Sequence, residues 1–230
     1  MAPTRTKATS RAPVTRDRAV RVAVGLADAG GIESLSMRKL ARELGVEAMS
    51  LYYHVEGKED LLDGMVDVVF GEITLPSAST EWKTAMQQRA ESARCVLTRH
   101  AWAISLMEAR ARPGTETLRH HDAVIGCLRG AGFSIAMAAH AMSLLDSYVH
   151  GFALQEVSLP FDESGDIGAA TESIMEQPNM MADAFPHLTE MAAKLILQPG
   201  YAYGNEFQFG LRIILDGIET ALASDDGGPP

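Results

Sequence analysis

The sequence predicts an all-α protein, with a short N-terminal helix-turn-helix unit followed by a larger helical domain. Three observations support this. Apolar residues recur at three- and four-residue steps through most of the chain, which gathers them on one face of a helix. The stops Gly30-Gly31, Pro113-Gly114, Gly130-Ala131-Gly132 and Pro199-Gly200 punctuate that pattern. No stretch alternates with the period of two that a half-buried strand requires, and no segment repeats another.

In chain order, residues 1–14 mix Pro, Thr, Ser and Ala with Arg5, Lys7 and Arg11, the composition of a disordered basic arm. Residues 15–29 form a helix with Val20, Ala23, Val24 and Ala27 inward and Arg16, Arg18 and Arg21 outward. Ser36 is suited to cap the next helix, whose apolar face is Met37, Leu40, Ala41 and Leu44. Gly45 then interrupts it where a left-handed residue turns the chain sharply. Ala48, Leu51, Tyr52 and Val55 continue as a second short helix, and the small Ala41 lets the two cross closely. A fourth helix over 57–73 has Leu61, Leu62, Met65, Val66, Val69 and Phe70 at core spacing, and Pro76 marks the exit from a first domain, 15–74.

The second domain, 80–223, opens with helices over 82–99, 101–110 and 115–129. Residues 134–157 are apolar nearly all round, so this helix must be buried on several sides, including by another chain. Residues 158–181 hold Pro160, Gly165, Gly168 and Pro178 among acids and read as a flexible connection with one short helix. Helices over 183–197 and 205–223 follow, and 224–230 is a frayed tail.

A chain of 230 residues, 47% hydrophobic and 22% charged, can bury a sizeable core. Cys95 and Cys127 sit in apolar helical surroundings without metal-ligand spacing; they read as free core thiols of a reducing cytoplasm, with a disulfide or redox switch as alternatives. No signal peptide opens the chain, and no apolar run is long enough for a membrane span. The net charge of −10 is unevenly spread: residues 1–60 carry ten Lys+Arg and eight Asp+Glu, a balance of +2, which leaves −12 for the remainder. An acidic body with one positive end restricts polyanion docking to that end.

Two short helices about a Gly turn can place the second in the major groove of DNA; an ordinary helical hairpin is the alternative. Met49, Ser50, Tyr53 and His54 lie off the packed face, and Lys58 follows Gly57 at a helix start, where free N–H groups and a lysine suit phosphate. The strings Leu40-Ala41, Leu44-Gly45-Val46, Leu51-Tyr52-Tyr53-His54-Val55, and Lys58 with Leu61-Leu62, resemble the DNA-binding domain of the TetR family of bacterial repressors over residues 15–70. They are nearest the tetracycline-repressor branch.

The candidate DNA-facing set is Ser36, Arg38, Ala48, Met49, Ser50, Tyr52, Tyr53, His54 and Lys58. Tyr52, Tyr53 and Lys58 suit phosphates, which position without specifying, whereas Ala48, Met49 and Ser50 face base edges. Arg38 can pair bidentately with guanine, and the resemblance implies base reading at that position. Ala48 and Met49 depart from the Gln and Pro of that branch, so the operator expected is not the tetracycline operator. The basic arm is either a solvated tail or an extra minor-groove contact.

A single unit reads too few bases to find a genomic site, so a homodimer through 134–157 and 205–223 is expected, as the resemblance also implies. The resemblance further implies a small-molecule effector in the second domain. Eight of the twelve methionines lie there, with polar groups among them. The candidate pocket set is Met86, His100, Trp102, Met107, His121, Met142 and Asp146. Past the first domain the likeness thins to helix order and Gly132-Phe133-Ser134, so neither the drug nor its magnesium is carried over, and no cofactor or metal is expected. The function expected is a cytoplasmic, ligand-released transcriptional regulator, with an effector-independent architectural DNA binder as the alternative. A small helical enzyme is the remote one, since no catalytic motif is present and the adjacent His120 and His121 point about 100° apart on a helix.

Overall fold

The computed structural model describes residues 13–77, 79–107, 112–159 and 184–224, and every regular element among the described residues is a helix. The basic arm up to residue 12, most of the acidic connection with Met175, Met180 and Met181, and the tail from 225 lie outside them.

Side-chain caps set the starts of four helices, at Thr15, Ser36, Glu81 and Ser134. Helix α1, Arg16–Gly30, begins where the Thr15 hydroxyl accepts from the Arg18 N–H. Helix α2, Met37–Leu44, begins with Ser36 accepting from the Lys39 N–H and ends at Gly45 in the left-handed region, φ 72° and ψ 37°. Helix α3, Ala48–Leu51, is a single turn with no side-chain cap, held by the buried Leu51 and by Val55 just beyond it. Helix α4, Lys58–Glu72, packs across α1.

Helices α5, Trp82–Arg99, and α6, Ala101–Met107, break at His100. Helix α7 is Thr115–Gly130, and α8 is Ile135–Ser158, capped by Ser134. A short α9, Pro186–Met191, runs into a wide π turn, Ala192–Ile196, and α10, Gly204–Ser224, closes the chain. The expected single helix over 183–197 is therefore shorter and broken. Pro186 can only stand in a first turn, because its ring displaces the N–H that an interior position requires.

One continuous apolar core runs from Ala19 in α1 to Ile218 in α10, so both halves of the chain share an interior. Helix α8 lies at its centre against α5, α6, α7 and α10, while α4 touches α1 on one side and α7 on the other. Around Tyr148, Phe152, Tyr203 and Phe207 the rings pack at 4.8 to 5.9 Å, two pairs stacked, one tilted and one edge-on. Arg94 lies over two of these rings and pairs with Glu156. Both cysteines are free; Cys127 is half-buried, but Cys95 is exposed because it falls on the outer face of α5 rather than in the core.

Candidate nucleic-acid interface and ligand cavity

The turn between α2 and α3 is closed by the Val46 N–H donating to the Ala41 carbonyl at 3.0 Å, with Ala41 buried at the crossing. Leu40, Leu44, Leu51 and Val55 face inward, which turns the remaining side chains of α3 out. Met49 is 73% exposed and Tyr53 88% exposed. Tyr52 continues the apolar spacing, yet it sits off the packed face at 49% exposure. Arg38, His54 and Lys58 are exposed, while Ala48 and Ser50 are half-buried at the start of α3. Ser36 is exposed too, but its hydroxyl is occupied as the α2 cap.

The start of α4 is fixed to α1. Arg16 donates to the Asp60 carboxylate at 2.6 Å, and the Glu56 N–H donates to its other oxygen at 3.0 Å. The Arg16 hydrogen bond holds the Asp60 carboxyl below its usual range, against the opposing effect of burial. Lys58 thereby projects from a clamped helix end beside the exposed strip of α3.

A cavity of about 470 Å³ opens between α4, α5, α7 and α8, with Met107 of α6 at its edge. Met107, His121, Met142 and Asp146 stand on its wall. The other three candidates do not: Met86 is fully buried in the packed core, and His100 and Trp102 belong to a separate junction. Sequence reasoning missed Arg89, Thr117 and the α4 wall of Val66, Phe70 and Ile73. Arg89 had a legible signal, since it falls in the same inward register as Met86, Ala90 and Ala93.

Arg89 is 4% exposed. Its Nε donates to His120 Nε2 at 3.0 Å and its Nη2 to Asp146 Oδ1 at 2.5 Å, while Nη1 is buried with no acceptor among the described residues. Such an orphaned donor costs on the order of 1–3 kcal/mol. Burial, then the Arg89 charge, then His121 push the fully buried His120 down to about 3 from 6.5, so its Nε2 stays an acceptor. The folded protein refuses a proton that the unfolded imidazole takes, so stability is lost as pH falls below about 6.5 and on towards about 3. Urea unfolding from about pH 7.5 to about pH 5 is expected to show this loss in the wild type and a flatter profile in His120→Gln. Parallel slopes for the two proteins would remove His120 as its source.

Two polar junctions tie α4 to its neighbours. In the first, Asp28 Oδ1 lies 2.7 Å from His100 Nδ1 and accepts from Trp102 Nε1 at 2.6 Å, while His100 Nε2 lies 3.3 Å from Glu72. Arg99 also reaches Glu72 at 2.8 Å. In the second, Asp67 Oδ1 accepts from the Thr117 N–H at 2.9 Å and its hydroxyl at 3.0 Å, in the first turn of α7. Gly114 permits this approach, because a β-carbon there would lie 2.2 Å from the Asp67 carboxyl carbon. Among the described residues no group of three or more His, Cys, Asp or Glu side chains could hold a metal, and no helix is long and apolar enough to cross a membrane.

Residues 19–65 match the family described as bacterial regulatory proteins, tetR family, and residues 75–222 match the tetracyclin repressor-like C-terminal domain. An HTH-type transcriptional regulator of Saccharopolyspora erythraea is 37% identical over 163 residues, 70% of this chain and 69% of the relative. The HTH-type transcriptional repressor DrrR1 of Streptomyces coeruleorubidus is 30% identical over 95% of this chain and 83% of its own. Apo ActR from Streptomyces coelicolor superposes with a TM-score of 0.76 at 27% identity, covering 93% of this chain and 98% of that one. With an exposed helix-turn-helix joined through α4 to a cavity-bearing helical body, and with both family domains matched, the chain belongs to the TetR family of bacterial transcriptional regulators.

Proposed function

We propose that this regulator is a cytoplasmic repressor that binds a palindromic operator as a homodimer and is released by a small apolar or amphipathic effector. The observation that carries the proposal is the placement of α4, whose first residue, Lys58, stands beside the exposed strip of α3 while Val66 and Phe70 wall the cavity. An occupant that shifts α4 moves the DNA-facing end of the same helix. A coupling of about 1–3 kcal/mol per site is typical of such switches. Two relatives lend support: DrrR1 is named a repressor, and ActR has been solved in complex with actinorhodin at 28% identity to this chain. The roomy cavity favours effector control over the effector-independent alternative.

The dimer face proposed lies on α8 and α10. Leu144, Leu154, Phe209 and Ile213 are each 52 to 55% exposed, opposite the faces that hold these helices to the core. A palindromic operator requires two reading helices about 34–36 Å apart, and pairing two chains supplies the second.

Genomic fragments selected by the purified protein should share a two-fold symmetric sequence. On that sequence, Arg38→Ala is expected to cost roughly 1–3 kcal/mol and to relax base preference at one position per half-site. Lys58→Ala should weaken all sequences alike and make the salt dependence shallower. An Arg38→Ala protein with unchanged affinity and preference in a gel shift would refute the base-reading role.

A further inference from the structure

We propose that the cavity between α4, α5, α7 and α8 takes a flat, largely apolar acid, a ring-bearing molecule whose anionic oxygen accepts from Arg89. The inference rests on the effector response proposed above and specifies the chemistry of its occupant.

The arginine makes the case. Two of its three nitrogens are held by His120 and Asp146, which fixes the guanidinium plane, and the third is buried without an acceptor among the described residues, on a side chain that lines the cavity. Native interiors rarely leave such a donor unpaired, and an occupant carrying a carboxylate, phenolate or sulfonate oxygen would complete the set. Charge agrees with this. Among the described residues Arg89 pairs with one carboxylate, Asp146, and its other partner, His120, is neutral and supplies a lone pair. The second acid on the wall, Asp63, lines an adjoining groove as well, together with Arg112, Pro113 and Gly114. The body of the occupant follows from the other surfaces. Phe70, Val66 and Ile73 form one apolar side, and the thioethers of Met107 and Met142 adapt to ring faces. A volume of about 470 Å³ falls within the range that holds drug-sized ligands.

Two fluorescent probes with the same anilinonaphthalene body separate the elements of the proposal. One is 8-anilinonaphthalene-1-sulfonate, which is anionic; the other is N-phenyl-1-naphthylamine, which is not. Titrated into the full-length protein, the sulfonate is expected to bind about tenfold tighter than the neutral probe, at one site per chain. Arg89→Met should bring the sulfonate down to the affinity of the neutral probe and leave the latter unchanged. Met142→Trp, which fills the void, should weaken both. Equal affinities in the wild type, or a sulfonate indifferent to Arg89→Met, would overturn the acid preference while leaving a cavity that responds to Met142→Trp. If neither probe responds to Met142→Trp, the cavity is no ligand site and the proposed effector response falls with it. Should Arg89→Met fail to fold, the wild-type ratio of the two probes decides the question alone.

Discussion

A double substitution, Phe209→Glu with Ile213→Glu, is expected to give a folded monomer whose operator affinity is about a thousandfold weaker than that of the wild type. The size of the loss follows from what one half-site can offer. A single reading unit keeps its phosphate contacts but loses the second set of base contacts, which returns it to the non-specific regime. Folding should survive, because Phe207, Leu211, Leu215 and Ile218 hold α10 to the core from the opposite face. Within the chain the substitution removes the contact of Arg212, whose guanidinium lies 5.6 Å over the Phe209 ring. Sedimentation velocity and a gel shift on the selected operator check both halves, and a variant that still sediments as a dimer would rule out the α8–α10 face as the interface.

Asp28→Ala carries the second large effect. One carboxylate oxygen serves both His100 and Trp102, and both of these rings are buried, so removing it strands two donors in the interior at once. Hydrogen bonds to charged groups are worth roughly 1.5–3 kcal/mol each and are not additive here, so a total near 2–3 kcal/mol is expected. In a chain of this size that lowers Tm by about 5–10 °C. Asp28→Asn retains an acceptor and should lose less. An Asp28→Ala protein that melts with the wild type would show that α1 is held to α6 by packing alone.

Much of the fold could be read from local chemistry. Thr15, Ser36 and Ser134 stand at helix starts as caps, and Gly45 adopts the left-handed geometry that its position demands. The exposed strip of α3 was legible for the same reason, since Leu51 and Val55 define the inward direction and Met49 and Tyr53 must then point away. The cavity was less legible. Periodicity reports that a side chain points inward but not whether it meets a neighbour or a void. Met86 and Met142 look alike in sequence, yet the first is packed solid and the second faces open space. His100 and Trp102 were misplaced because their partner, Asp28, is more than seventy residues distant and no local pattern announces the pairing. Arg89 was the informative exception, a cation in an inward register that only a buried partner set could tolerate.

The joint between Asp67 and Thr117 divides α4 as a fulcrum divides a seesaw, and a tilt of the helix about it requires the Arg16–Asp60 contact at one end and the His100–Glu72 contact at the other to give way. At about 1.5 Å of rise per residue, the nine residues from Asp67 back to Lys58 make an arm of about 14 Å, and the six forward to Ile73 make one of about 9 Å. Tilting about that fulcrum carries the Lys58 tip in the opposite direction to the cavity end and about one and a half times as far. Under the proposed release mechanism, a ligand that pushes Ile73 by a fraction of an ångström would be geared up, not damped, at the Lys58 end.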